Sequence, residues 1–276
     1  MPADLHIHSK LSDGTEMPGE LVKLAKSGGL KTIALTDHDN MDGIEEAMSE
    51  GRRTNVEVIP GIELTCEIPG CEVHILGYFL DTEQPALLEE LKRIQEGRVK
   101  RIHKICEKLK SLGVDLRPEE VFKFSGQKAP GRPHVARALV EKGVVSSFKE
   151  AFDRFLEYKG PAYVSHYKLA PREAIKIIRA AGGIPAMAHP AVSGRDEIIE
   201  KLTGEGLQGL EAYYPTHSPQ QTEHYVNLAR KLGLIPTGGS DYHGKNSGRD
   251  NRLGDFSIPD EVAEKLKDEH LRRNRS

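Results

Sequence analysis

The 276-residue chain contains no tryptophan, and aromatic residues make up only 5% of it. With so few aromatic side chains, we do not expect an extended platform on which successive bases stack. The formal net charge is −3, and no long basic stripe is evident in the sequence. General electrostatic attraction to duplex DNA or to an anionic membrane is therefore not expected.

Cysteine and long apolar runs are also scarce. Cys66, Cys71 and Cys106 are odd in number and lack metal-type spacing, so a reducing compartment is expected rather than a disulfide framework. No segment approaches the roughly 18 apolar residues of a membrane span, and the N-terminus lacks the pattern of a signal peptide. We expect a soluble, cytoplasmic protein that does not bind membranes.

Short β-branched runs alternate with helical patterns in the first eighty residues and again after residue 170. The first strands alternate with helices as βαβαβ, which predicts a parallel sheet and an α/β fold. The polar tail from His270 to Ser276 is expected to fray. The predicted strands are 3–8, 31–36, 56–63, 72–80, 184–188, 207–212 and 234–237, and the helices between them are 18–26, 42–53, 171–181, 196–202 and 219–232.

The pattern changes between residues 83 and 167, where apolar positions fall at helical spacing and no segment resembles a strand. Ile102, Ile105 and Leu109 illustrate the spacing within a long helix predicted at 85–112. Shorter helices are predicted at 118–124, 133–141 and 148–156. The sequence therefore predicts one α/β domain formed by 1–82 and 168–276, with 83–167 inserted as a helical lid subdomain.

Residues of the types that bind metals recur where the apolar runs of the predicted strands end. Imidazoles together with carboxylates suit manganese, zinc or iron(II), whereas an all-oxygen set would suggest calcium or magnesium. Nine ligands exceed the needs of one ion, and a carboxylate can bridge two, so we expect two or three divalent ions. The candidate metal ligands are His6, His8, Asp13, His38, Glu63, His74, His189, Asp241 and His243.

Metal clusters of this kind suit phosphoester hydrolysis. One ion lowers the pKa of a bound water to about 7, and another neutralises charge that develops on the phosphoryl oxygens. The reaction requires no nucleophilic side chain, which agrees with the lack of a Gly-x-Ser-x-Gly elbow and of a P-loop in the sequence.

Taken one at a time, the motifs have other interpretations. A His-x-His pair can be two buried, hydrogen-bonded rings, and Thr36-Asp37-His38-Asp39 can be a helix-capping turn. Glu63 can end a strand in solvent. His74 is harder to explain in this way because it interrupts an otherwise apolar strand. The recurrence of these residues at strand ends favours a metal site.

Together the motifs resemble those of the PHP family, named for polymerase and histidinol phosphatase domains. The resemblance covers nearly the whole chain and implies a distorted (β/α)7 barrel with a trinuclear metal site at the C-terminal rim of its strands. The matching motifs are His6-x-His8, 12–15 (SDGT), 35–39 (LTDHD), 61–63 (GIE), His74, 188–190 (AHP) and 239–244 (GSDYHG).

The resemblance also implies how the ligands divide and how the reaction proceeds. His6, His8, Glu63 and Asp241 would hold the first ion; Glu63, His74 and His189 the second; Asp13, His38 and His243 the third. A metal-bridging hydroxide would attack phosphorus, with Glu63, Asp241 and His243 as catalytic residues. Asp13 stands where histidinol-phosphate phosphatases use histidine, which weakens a role in histidine biosynthesis.

Within the family, residues 131–137 (GRPHVAR) and 159–164 (KGPAYV) resemble nucleoside 3′,5′-bisphosphate phosphatases and related 5′-to-3′ exoribonucleases. This similarity implies removal of a 3′-phosphate and trimming of short 5′-phosphorylated RNA. Arg132, His134 and Lys159 would clamp a second phosphate, with Arg195 as a weaker candidate. The alternative is that Arg132 and Lys159 are ordinary exposed charges.

Two other functions remain open at this stage. One is a phosphatase or cyclic phosphodiesterase for another small phosphoester, such as a sugar phosphate or histidinol phosphate. The other is a metal-holding module without activity that supports a partner, although such a module would be expected to lack ligands or to carry fused domains. A base could stack on Tyr163, Tyr167, Tyr213 or Tyr214, or these rings could be packed in the structure; His166 has no assigned role.

Overall fold

The computed structural model describes residues 2–125, 128–245, 252–254, 256 and 258–273, and within them one seven-stranded sheet runs in sequence order from β1 to β7. The amide of His8 donates a 2.8 Å hydrogen bond to the carbonyl of Tyr242, just beyond β7, which brings the two edges of the sheet together. This arrangement confirms the predicted α/β barrel. The strands are β1 (Ala3–Ile7), β2 (Thr32–Leu35), β3 (Glu57–Ile68), β4 (Cys71–Tyr78), β5 (Ile184–Met187), β6 (Gly209–Tyr213) and β7 (Ile235–Gly238).

One strand departs from the parallel order. The pairs β1–β2, β2–β3, β5–β6 and β6–β7 are parallel, whereas β4 is antiparallel to both β3 and β5. A tight turn at Gly70, whose φ is +80°, joins β3 to β4 as a hairpin. In this register His74 pairs with Thr65, two residues from Glu63, so the hairpin presents His74 and Glu63 on one face.

Helices cover the outside of the barrel. Ser218 caps α10 by accepting a hydrogen bond from the Gln221 amide, and Gly233, with φ +68°, ends it. Within the described residues, no helix is both long and apolar enough to cross a bilayer. The helices outside the insertion are α1 (Pro18–Ser27), α2 (Ile44–Thr54), α7 (Pro171–Ala180), α8 (Pro190–Ser193), α9 (Ile199–Gly204), α10 (Pro219–Leu232) and α11 (Asp260–Arg273), with a 3₁₀ turn at Asp196–Ile198.

The prediction that the chain frays from His270 is wrong for residues 270–273, which complete α11. Arg273 donates a 2.9 Å hydrogen bond to the carbonyl of Gly183, and the His270 ring stacks on Phe79 with centroids 4.5 Å apart. Val262 and Leu266 bury the inner face of the helix against the barrel. Residues 274–276 lie outside the described residues.

The described part of the predicted insertion contains helices joined by turns and loops, and no strand. It contains α3 (Pro85–Ser111), α4 (Pro118–Ser125), α5 (Arg132–Glu141), α6 (Phe148–Ala151) and a π-helical turn at Phe152–Leu156. These helices bury an apolar cluster of their own, which includes Ile105 and Val135, whereas Leu87 and Leu91 near the start of α3 belong to the barrel core. Since α3 contributes to both cores, a domain division at 83 and 167 stays a prediction.

Candidate metal centre

The strand ends at one rim of the barrel bring all nine predicted metal ligands together. His6 and His8, at the C-terminal end of β1, point to the same face of the sheet, because alternate residues of a strand share a face. The loop that carries Asp13 is fixed by Asp37, which accepts hydrogen bonds from the Ser9 amide and hydroxyl at 2.7 and 2.6 Å. The other ligands follow β2 (His38), β5 (His189) and β7 (Asp241 and His243) or lie within β3 (Glu63) and β4 (His74).

The Glu63 carboxylate lies at the centre of this group. It is 1% exposed, and both of its oxygens face imidazole nitrogens. Its Oε1 is 2.7 Å from His74 Nδ1 and 3.1 Å from His189 Nε2. Its Oε2 lies 3.1 Å from His8 Nε2, 3.2 Å from His38 Nδ1 and 3.3 Å from His6 Nε2. A carboxylate in this position can bridge two cations.

Two further carboxylates complete the centre. Asp241 Oδ1 lies 3.2 Å from His8 Nε2, and Asp13 Oδ1 lies 3.2 Å from His243 Nε2. The structure therefore contains three groups whose donor atoms lie within 4.8 Å of one another, and these groups overlap at His8, His38 and Glu63. The groups are His6, His8, Glu63 and Asp241; His8, Asp13, His38 and His243; and His38, Glu63 and His74.

Backbone strain accompanies the loops that present these ligands. His189 has φ +26° and Asp241 has φ +50°, in the left-handed region that non-glycine residues rarely adopt. Such conformations persist when the surrounding contacts determine them, and they concentrate at functional sites. Gly239 is needed for a different reason, since a Cβ there would collide with the His6 backbone and side chain.

Burial and the nearby carboxylates together set the protonation of the centre. Burial lowers the pKa of His8, but hydrogen bonds to Asp241 and Glu63 outweigh it and raise the pKa to about 9. Burial also lowers the pKa of His74, but the negative charge of Glu63 outweighs it and raises the pKa to about 10. Although burial raises the pKa of Glu63, the neighbouring histidines bring it well below its usual range. The buried Glu63 carboxylate therefore remains charged and requires positive charge beside it.

The donor set fits divalent metal ions. Buried carboxylates are stable only when cations compensate them, and divalent ions do so while also using the imidazole lone pairs. His8 Nδ1 and His189 Nδ1 are buried and have no hydrogen-bond partner among the described residues. Buried polar atoms without partners are uncommon unless a ligand or ion meets them nearby. Mixed imidazole and carboxylate ligands suit manganese, zinc or iron(II).

Two residues that support the ligands were not found from the sequence. Glu211 in β6 is fully buried; its Oε1 accepts from His6 Nδ1 at 2.9 Å and its Oε2 accepts from the His189 amide at 2.7 Å. Tyr214 donates a 2.8 Å hydrogen bond to Asp241 Oδ2. A signal for Glu211 existed, since a lone acid interrupts the apolar strand Gly209–Tyr213, just as His74 interrupts β4.

Glu211→Gln is expected to weaken metal binding about 10- to 100-fold, the usual effect of removing a partner that orients a metal-binding histidine. The glutamine keeps the size of the side chain but loses the negative charge. In the wild type, the charged carboxylate accepts a hydrogen bond from His6 Nδ1 and so holds the ring with its Nε2 facing Glu63. Titration calorimetry with manganese measures the affinity directly. Glu200→Gln, an exposed change in the same half of the chain, serves as the control. Unchanged affinity in Glu211→Gln would show that it does not orient His6.

A pocket of about 230 Å³ opens beside the centre, between the barrel and the helical insertion. Asp13, His38 and His74 line its barrel side, and Arg132 and His134 from the start of α5 line the other. Three cationic or imidazole side chains that the sequence did not assign as site residues also line it: Arg98, Arg101 and His166. The structure thus places two of the four predicted substrate-binding residues next to the metal centre.

The other two lie elsewhere. Lys159 is exposed, with its ammonium 5.4 Å from the centroid of the Tyr158 ring. Arg195 donates a 2.5 Å hydrogen bond to Glu197 and a 3.4 Å one to the carbonyl of Pro69. Neither side chain lines the pocket in this structure.

A barrel with this centre, and with a cation-lined pocket beside it, defines a metal-dependent phosphoesterase, a class of hydrolase. Comparison with known proteins agrees, because the PHP domain model matches residues 4–163. The chain belongs to the PHP domain family.

Proteins similar to this chain include two that are named for an enzymatic activity. A 3′,5′-nucleoside bisphosphate phosphatase of Chromobacterium violaceum is 32% identical over 251 residues, covering 89% of this chain and 88% of that protein. A 5′-3′ exoribonuclease of Haemophilus influenzae is 34% identical over 250 residues, covering 87% of this chain and 89% of that protein. A crystal structure of a Bifidobacterium adolescentis protein, described as a metal-dependent phosphoesterase, aligns with a TM-score of 0.88 at 30% identity, covering 96% of this chain and 94% of that protein.

Proposed function

We propose that the protein removes the 3′-phosphate of nucleoside 3′,5′-bisphosphates and also trims short 5′-phosphorylated RNA. The observation that carries this proposal is the position of the cation-lined pocket directly beside the metal centre. A substrate with two phosphates could place the scissile one at the metal centre and the other in the pocket. The activities named for the Chromobacterium and Haemophilus relatives support the same substrate class.

The charges in the pocket support binding of a second phosphate. Arg98 is already paired with Asp39, so its charge is compensated within the protein. Arg101 has a buried Nη2 with no hydrogen-bond partner among the described residues, and only its Nε is engaged, by the Val164 carbonyl at 2.7 Å. An arginine with unused donors is well suited to a phosphate, because its planar fork matches two phosphate oxygens.

Arg132 is the second candidate for this phosphate. Its two hydrogen bonds, to Glu72 Oε1 and to the Leu156 carbonyl, are both 3.4 Å long and therefore weak. The Glu72 carboxylate is itself compensated by the buried Lys168, whose Nζ lies 2.6 Å away. A phosphate can thus replace these weak contacts of Arg132 without leaving Glu72 unpaired.

His134 and His166 would contribute neutral imidazoles. Burial lowers the pKa of His134 to about 4. Burial, together with Arg98, Arg101 and Lys168, lowers the pKa of His166 to about 2. Both rings are therefore neutral at pH 7 and can donate one hydrogen bond each to a phosphate. Neither His166 nitrogen has a hydrogen-bond partner among the described residues.

Bound divalent ions would supply Lewis acidity, activate water and neutralise charge on the transferred phosphoryl group. The chain itself would orient the substrate: Arg101 and Arg132 would hold the 5′-phosphate so that the 3′-phosphate lies at the barrel rim. Hydrolysis breaks the bond between phosphorus and the 3′-oxygen, and that oxygen gains a proton. Glu63, Asp241 and His243 would be the catalytic residues, as ligands that hold the ions in place.

The substrate test measures manganese-supported phosphate release from adenosine 3′,5′-bisphosphate, AMP, histidinol phosphate and a simple aryl phosphate. We expect strong preference for the bisphosphate, because only this substrate supplies the second phosphate. Hydrolysis of the simple esters at equal or higher kcat/KM would overturn the two-phosphate proposal and favour a phosphatase for another small phosphoester.

Arg132→Met is expected to lower kcat/KM for the bisphosphate about 10- to 100-fold, the loss of one charged hydrogen-bonded contact of roughly 1.5–3 kcal/mol. Hydrolysis of the aryl phosphate should be unaffected, because it has no second phosphate. Arg195→Met, which removes an arginine outside the pocket, is the matched control and should behave as the wild type. Equal losses on both substrates would instead indicate a general structural effect of Arg132.

A further inference from the structure

The exposed face of α3 collects basic side chains that are dispersed in the sequence. Arg93, Lys100, Lys104 and Lys108 recur at intervals of seven and four residues, which places them on one side of the helix. The side chains of Lys100 and Lys104 are exposed and make no hydrogen bond or ion pair with the described residues. The basic residues are separated by other residues in the sequence, and they form a continuous basic face only in the folded helix.

This face borders two adjoining depressions, of about 330 and 500 Å³, along the segment 163–167. They share Lys104 and Ser165, and the first of them also reaches Arg101 and His166, which line the substrate pocket. The basic residues that line them are Arg93, Lys100, Arg101, Lys104 and Lys108, and the acidic ones are Glu96 and Glu107. Basic groups therefore exceed acidic ones locally, in a chain whose formal net charge is −3.

Aromatic rings lie along the same path. Tyr167 lines the first depression, with the Arg93 guanidinium 4.0 Å above its ring, and Tyr163 lines the second. Gly97 of α3 lines the first depression together with Tyr167. Single-stranded nucleic acids bind grooves that combine a basic track for phosphates with aromatic rings for bases.

We infer that this face of α3, defined by Arg93, Lys100, Lys104 and Lys108, binds the backbone of a single-stranded oligonucleotide whose 3′-terminal phosphate lies at the metal centre. The depressions meet the pocket at Arg101 and His166, where the 5′-phosphate of the terminal nucleotide would lie, so the rest of the chain would continue from there along α3. The inference rests on the proposed function, because it extends removal of the 3′-phosphate from a mononucleotide to the 3′ end of a chain. From Lys100 to Lys108 the helix rises about 12 Å, enough to contact more than one phosphate. A folded duplex is a poorer match, because the groove follows only one side of a single helix.

The test compares adenosine 3′,5′-bisphosphate with 3′-phosphorylated oligoribonucleotides of two to ten residues, using the manganese-loaded enzyme and measuring phosphate release. In the double variant Lys100→Glu/Lys104→Glu, we expect KM for the longer oligonucleotides to rise about tenfold or more, with KM for the bisphosphate unchanged. The slope of log affinity against log salt should fall by about 0.7 for each phosphate that the variant no longer neutralises.

The control is Lys92→Glu/Lys110→Glu, which changes the net charge equally on the same helix but away from the depressions. Lysine and glutamate have similar helix propensities, so both double variants should keep α3 folded. Equal KM values for the oligonucleotides in both variants would overturn the α3 site. If the wild type hydrolyses oligonucleotides but not the bisphosphate, the proposed mononucleotide activity is wrong. The α3 site is then tested separately, by the KM values of the two lysine variants for the oligonucleotides.

Discussion

Glu63→Gln is expected to reduce phosphoester hydrolysis at least about a thousandfold. Metal ions contribute several kcal/mol to stabilising charge in such reactions, and about 4 kcal/mol corresponds to that factor. Glu63 is the only carboxylate among the nine candidate ligands that approaches five of the histidines, from 2.7 to 3.3 Å. The amide retains the shape but loses the charge, so it cannot bridge two cations. Activity on adenosine 3′,5′-bisphosphate and metal content by mass spectrometry measure the effect.

The control for this substitution lies on the same strand. Glu67 is four residues further along β3, where its carboxylate approaches only Lys168 Nζ, at 3.4 Å, among the described residues. Glu67→Gln should therefore retain activity and metal content near those of the wild type. Asp241→Asn offers a second variant at the centre if Glu63→Gln folds poorly. Full activity in a folded Glu63→Gln enzyme would remove the bridging role from the proposed mechanism.

The candidate ligands could be found from the sequence because a barrel presents its strand ends at one rim. A polar residue after an apolar run, as at His38 and His189, marks such an end before any tertiary contact is known. His74 was found differently, as an imidazole inside an apolar strand. The sequence did not reveal that β4 runs antiparallel, since alternating patterns carry no strand direction; the turn at Gly70 was the available signal.

The supporting residues were harder to predict because their roles depend on distant partners. Glu211 lies 205 residues from His6, and Arg98 lies 59 residues from Asp39. In the sequence, Arg98 cannot be told apart from the exposed charged residues of the same helix, because only the fold brings Asp39 next to it. The helix α11 was missed for a local reason, because its charged residues outnumber the few apolar ones that pack inward, such as Leu266.

A buried ion pair between Asp39 and Arg98 joins the helical insertion to the metal centre. Asp39, which follows His38 and has φ +49°, accepts hydrogen bonds from Nε and Nη2 of Arg98 in α3, the former at 2.8 Å. Its other oxygen accepts from the Thr65 amide at 3.1 Å, and its carbonyl accepts from Gln95 Nε2 at 2.9 Å. Asp39 is fully buried and Arg98 is 6% exposed. The ion pair therefore fixes α3, with Arg101 on the next turn, relative to the ligand loop.

Arg98→Met is expected to destabilise the protein by about 3–5 kcal/mol, because it leaves the buried carboxylate of Asp39 without its cation. Chemical denaturation followed by circular dichroism measures the free energy of unfolding. The control, Arg52→Met, removes an exposed pair with Glu45 at 3.1 Å and should cost at most about 1 kcal/mol.

The double variant Arg98→Met/Asp39→Asn distinguishes the pair from simple packing. Removing both charges avoids an uncompensated one, so this variant should recover part of the stability that Arg98→Met loses. If instead the two losses add, Arg98 stabilises the protein mainly through its aliphatic contacts. In that case the contact between the ligand loop and α3 depends on Gln95 and on packing rather than on the ion pair. Since α3 would then keep its position, KM for the bisphosphate should change little in Arg98→Met.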